Sequence, residues 1–193
     1  MGIELTLAWQ RLNEEHHPLV ETYGAFLGAP SQHPRARFLL LIQALEGLHG
    51  FQTRASYDQR KARHTALRNE VLETALAHLE QPEQRRFLKK YVSKGPITNL
   101  DDAMKAMFTT LPIDLSAELG EQPLIQKLKD DPRPHEGPVE TLRLVRNDLA
   151  HGRQGYDVLA LHDVCQVLER VTRAHMLRVL GCPLEVQRRA LVN

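Results

Sequence analysis

The sequence is 193 residues long, 42% hydrophobic and 5% aromatic, with 25 Lys and Arg against 24 Asp and Glu. That length suffices for one substantial core and favours a single domain, 1–193, over two; a formal net charge of +1 excludes a global field able to hold a polyanion, so any nucleic-acid contact has to come from local clusters. No apolar run approaches the roughly 20 residues of a membrane span, the N-terminus lacks a signal-peptide pattern, and Cys165 and Cys182 match no metal-ligand or disulfide framework, so a soluble, cytoplasmic protein is expected.

Leu, Ala, Glu, Gln and Arg dominate, the residues that lose least entropy in a helix, and the expected class is all-α. From Glu4 to about Phe26 apolar residues recur at helical spacing, with Pro18 as a kink or break. A turn over Gly28 to Pro34 precedes a helix from Arg35 to about Thr53, whose apolar residues, Phe38 to Leu48, cover nearly every face, as befits a bundle centre. A charged helix follows from about Ser56 to Leu79, then another from Pro82 to Val92, ended by Ser93 to Pro96. Short helices from Thr98 or Asn99 to Thr110 and from Pro123 to Lys129 lead to an exposed loop, Asp130 to Pro138, holding three prolines. Val139 to His151 is helical with Gly152 placed to end it, and Asp157 starts a long final helix reaching Leu180 before Gly181 and Pro183. The expected architecture is a bundle of long helices with smaller ones inserted between Lys94 and Asp131.

The segment Leu144 to Gly152 reads LVRNDLAHG. A helical wheel places Arg146 among Val139, Leu142, Val145, Leu149 and Ala150, so a cation sits where a leucine is expected. Burying an unpaired guanidinium costs several kcal/mol, so Arg146 lines a cleft, pairs with an acid, reaches a partner subunit, or snorkels from the core edge. An arginine five residues before a histidine occurs three times, at Arg11/His16, Arg146/His151 and Arg170/His175. Only the middle pair has Asn147 directly after the arginine, an apolar lead-in, a terminating Gly152 and a second long amphipathic helix behind it.

RNDLAHG resembles the signature of HEPN domains, and RFLLLIQALEGLHGF, Arg37 to Phe51, is similar to the central helix of their ApeA-like branch. The resemblance implies a HEPN-type bundle and a homodimer whose two motifs face a shared cleft. It also implies ribonuclease activity in anti-phage defence or a toxin system. It implies further that the chain is the C-terminal part of a longer protein, with an N-terminal sensor domain or an antitoxin as partner. Some HEPN toxins carry an adenylylated tyrosine two positions after the histidine; here that position is Arg153, and Tyr156 is out of register.

RNA supplies its own nucleophile, the 2′-hydroxyl, so cleavage needs in-line geometry, proton transfer and stabilised charge, and no cofactor or metal is required. His151 is the candidate acid–base, Arg146 the phosphate-binding cation, and Asn147 an orienting group. Five residues of ideal helix rotate by about 140°, so one regular helix does not bring Arg146 and His151 together. Glu46 on the central helix is either a partner for Arg146 or a solvent-edge residue; Asp148 is a second possible supporting residue. Arg54, Arg60, Lys61, Arg63 and Arg153 are candidate RNA contacts, as are Arg170, Arg173 and Arg178, though such runs are usually solvated faces. Two alternatives stand beside the nuclease: a non-catalytic RNA- or protein-binding dimer, and a di-metal bundle using the Glu-x-x-His pairs Glu14/His17 and Glu46/His49. Cys165 is expected to be a small buried hydrophobe.

Overall fold

The structure, a computed structural model, describes residues 2–29, 31–96 and 98–192, and those residues form eleven helices and no strand. None of the helices is long and apolar enough to cross a membrane. The chain divides into two compact units, one made of Met1–Phe51 with Leu100–Asn193, the other of Gln52–Asn99.

The first unit begins with α1 (Gly2–Glu14) and α2 (Pro18–Leu27), and Pro18 opens the second helix rather than kinking one long one. Its missing N–H is harmless at a first helical position, and His17, the N-cap, accepts a hydrogen bond from Leu19 N through Nδ1 at 3.3 Å. Next comes α3 (Pro34–Gln52), which buries Phe38, Leu41, Ile42, Ala44, Leu45 and Leu48 while leaving Gln43 and Glu46 exposed. The run that looked apolar all round therefore has one polar strip.

Three short helices, α6 (Leu100–Thr109), α7 (Ser116–Glu121) and α8 (Pro123–Lys127), fill the inserted region; the sequence pattern had signalled two of them. They pack with α9 (Pro138–Ala150). Two ion pairs join α6 to α9, Arg143 with Asp101 at 2.9 Å and Lys105 with the buried Glu140 at 2.6 Å. Beyond α9, α10 (Val158–Val179) starts where Asp157 Oδ1 caps Ala160 N at 2.9 Å. It contributes Leu161, Val164, Leu168 and Val171 to one continuous core with Phe38, Leu45, Met104, Phe108, Leu142 and Val145.

A last helix, α11 (Leu184–Val192), lies where the sequence reading ended the fold at Gly181 and Pro183. Gly181 takes φ +76°, a turn that lets α11 double back and pack on α10. The cations Arg170 and Arg173 of α10 are engaged: Arg170 pairs with Glu118 and donates to Leu191 O at 2.9 Å, and Arg173 pairs with Glu169 at 3.3 Å. Arg170 ties α10 to α7 and α11 and Arg173 pairs within its own helix, so neither belongs to a free basic stripe. Cys165 is buried, with its thiol pushed up to about 12 chiefly by burial, consistent with an inert core position.

The second unit is a helical hairpin, α4 (Arg54–Ala77) and α5 (Pro82–Tyr91), joined by a short turn. Leu72 is the buried residue of α4, and α5 has none.

Candidate active site at the end of α9

Helix α9 is built to stop at one place. Gly152 N bonds Leu149 O at 3.4 Å, Arg153 N bonds Asp148 O at 2.9 Å, and Gly152 takes φ +63°. These are the 5→2 and 6→1 bonds of a Schellman motif, with glycine at the left-handed position after the cap. His151 is the C-cap itself, with φ −96° and ψ 2°, and its side chain is exposed. Leu149 O, one of the carbonyls a helix end leaves over, also accepts from the guanidinium of Arg35, at the start of α3.

The 140° rotation does not keep Arg146 and His151 out of one pocket. Arg146 and His151 line the same concavity of about 430 Å³, with Leu39, Ile42, Gln43 and Glu46 of α3 as the facing wall and Ala150 between them. His151 N still bonds Asn147 O at 3.1 Å, so its Cα keeps the helical register, and the two side chains line one concavity together with the facing residues of α3. On α3 the four lining residues fall at i, i+3, i+4 and i+7, one helix face.

Arg146 is half-buried, and Arg143, Asn147 and Ala150 share its less buried side of the helix. Of the options that its place on the wheel left open, it takes the cleft: its Nη1 donates to Asn147 Oδ1 at 3.2 Å, and no ion pair with an acid forms among the described residues. Asn147 thus orients the arginine; it does not itself line the concavity. Glu46 is exposed and sits at the solvent edge of α3, sharing the pocket with Arg146 without pairing to it. The imidazole of His151 makes no hydrogen bond to another described residue, which leaves both ring nitrogens available.

Asp148, a possible supporting residue from sequence, supports something else. It is 2% exposed and turned away from the pocket, where it accepts from Arg133 Nη1 at 2.7 Å and from the Tyr156 hydroxyl at 2.6 Å. Arg133 also pairs with Asp131 at 2.8 Å, so the proline-rich loop is pinned to α9 rather than free. Hydrogen bonding to the Arg133 guanidinium holds the Asp148 carboxyl below the usual range, and the same guanidinium holds Asp131 at about 2. Tyr156, half-buried with its hydroxyl committed to Asp148, is raised above its ordinary value, first by burial. Sequence reasoning missed Arg35, Gln43 and Arg133; the Asp131-x-Arg133 spacing inside a proline-rich loop was the available signal for the last.

The remaining candidates are not among the residues that line this pocket. Arg153 is exposed and does not line the pocket; Arg54, Arg60, Lys61 and Arg63 are exposed along α4. Among the described residues no three His, Cys, Asp or Glu side chains gather into a metal-holding group. The di-metal alternative lacks a convergent donor set, and His17 is used as a helix cap packed 4.5 Å from the Phe51 ring. His175 is buried in the core with Nε2 2.8 Å from Met107 O, and burial pushes it down to about 4. Searches against protein-family models, curated proteins and solved structures returned no match for this chain.

Proposed function

We propose that the chain is a HEPN-type endoribonuclease that cleaves RNA without a metal ion, as a homodimer, in phage defence or a toxin system. The observation that carries the reading is the shared concavity of Arg146, His151 and Glu46. An arginine presents a cationic planar fork matched to a phosphate, and an unpaired imidazole offers one ring nitrogen that can donate a proton and one that can accept it. The two side chains that phosphodiester transesterification needs therefore face one space.

In the reaction the 2′-oxygen bonds to phosphorus as the bond from phosphorus to the 5′-oxygen breaks, leaving a 2′,3′-cyclic phosphate and a 5′-hydroxyl. Arg146, aimed by Asn147, stabilises the charge on the non-bridging oxygens. His151 protonates the departing 5′-oxygen, and the 2′-proton passes to a second base, Glu46 or the imidazole of a second copy.

The test is a labelled RNA incubated with the full chain in EDTA, beside Arg146→Ala and His151→Ala. Cleavage to cyclic-phosphate ends, lost in both variants, is expected. RNA retention without cleavage would instead make the chain a non-catalytic binding module. Sedimentation that finds only monomer at working concentration removes the dimer from the proposal.

A further inference from the structure

The hairpin differs in charge from the rest of the chain. Between Gln52 and Asn99 there are ten Lys and Arg against five Asp and Glu, a net +5, while the other unit carries fifteen against nineteen, a net −4. The whole-chain value of +1 hides this separation. Within the hairpin, α5 repeats one pattern a helical turn apart: Arg85-Arg86-Phe87, then Lys89-Lys90-Tyr91. Four residues return to nearly the same face, so Phe87 and Tyr91 form one column and Arg86 and Lys90 a second beside it.

All six of these side chains are exposed. Phe87 is 63% and Tyr91 61% exposed, against the ordinary tendency to bury aromatics. Their rings lie 4.4 Å apart, and the Lys90 ammonium sits 5.1 Å from the centre of the Tyr91 ring. A groove of about 460 Å³ runs beside Phe87, walled by Leu79 and Leu88 with Glu83 and Gln84.

We propose that this face of α5 is a docking platform for single-stranded RNA, with Phe87 and Tyr91 stacking on unpaired bases and Arg86 and Lys90 contacting the phosphates. Charge complementarity selects a polyanion. The aromatic column selects a single strand, because bases in a duplex are already stacked and the A-form major groove is closed to side chains. As a statement of substrate class it rests on the ribonuclease reading; as a statement of binding it stands apart from cleavage.

The experiment measures fluorescence anisotropy of a labelled single-stranded RNA 12-mer, and of the same strand annealed to its complement, against the full chain carrying His151→Ala. The single strand is expected to bind more tightly than the duplex. Phe87→Ala with Tyr91→Ala weakens single-strand binding by about tenfold or more and leaves its salt dependence unchanged. Arg86→Ala with Lys90→Ala flattens the slope of log affinity against log salt by about 1.4. Far-UV circular dichroism unchanged in both variants confirms that folding is not the cause.

Equal affinity of parent and both variants overturns the proposal, as does a duplex bound as tightly as the strand. So does an aromatic variant that loses self-association in sedimentation while keeping RNA affinity, which identifies a protein-docking face. Binding that depends on the hairpin in a chain whose native form never cleaves RNA leaves the platform standing and removes the nuclease. Cleavage indifferent to the hairpin variants does the reverse.

Discussion

At the end of α9, the terminal backbone groups and the polar side chain of Asp148 are spoken for: Gly152 and Arg153 close the helix, Arg35 caps Leu149 O, and Asp148 takes Arg133 and Tyr156. Along α5, seven charged or aromatic side chains are exposed and no residue is buried. The first arrangement fixes two functional groups within one small pocket, the geometry a reaction needs. The second offers an open, shallow face, the geometry that tolerates many sequences. Charge alone does not tell them apart; whether the cation lines a pocket or lies on an open helix face does.

The largest effect that can break this contrast is on rate. His151→Ala is expected to cost about 10²–10⁴-fold in RNA cleavage with little change in thermal stability, since the side chain is exposed and unpaired. A large loss of stability instead would recast His151 as structural. Next is Asp148→Ala, which leaves the Tyr156 hydroxyl and Arg133 Nη1 without their acceptor while Asp131 still holds the rest of the guanidinium; denaturant unfolding should show about 2 kcal/mol of destabilisation. A change below about 0.5 kcal/mol would mean that the loop is not held by this clamp.

Acid sharpens the same contrast between the two units. His175 in the core has a folded value of about 4 against an unfolded one of 6.5, so between those values the unfolded chain binds more protons and stability falls as pH falls. The contribution is complete above pH 6.5, and about 2 kcal/mol is lost between pH 6.5 and 5, a drop that His175→Leu should abolish. Gly152→Ala, forcing a side chain onto φ +63°, is expected to cost about 1 kcal/mol and to blunt cleavage by displacing His151. Smallest of all, Phe87→Ala should shift folding stability by less than about 0.5 kcal/mol, because so little of the ring is packed.

Much of the fold was legible because local chemistry dictated it. Pro18, Asp157 and Gly152 each acted where backbone rules put them, and the apolar density of α3 announced a core helix. The pocket residues on α9 were legible for the same reason, since a cation near an apolar stripe is anomalous wherever the chain goes. What stayed hidden was set by distant partners. Nothing in the sequence near Asp148 says that Arg133 and Tyr156 will claim it, and the local pattern left Glu46 between a partner for Arg146 and the solvent edge of α3, which packing decided for the edge. The helices α7 and α11 are short and lie next to prolines and glycines that ordinarily end helices. The charge split between the units vanished in the total because the two halves nearly cancel.

Arg35 joins the two helices that wall the pocket. By bonding Leu149 O it rivets the start of α3 to the tail of α9, so the two walls that carry Gln43 and Glu46 on one side and Arg146 and His151 on the other are spaced in advance. Under the proposed function a nucleotide would meet a slot of set width, with only side-chain swings, on a nanosecond scale, between encounter and seating. Association traces should accordingly follow a single exponential, and cutting the rivet with Arg35→Ala should introduce a slower second phase as the jaw learns to flex.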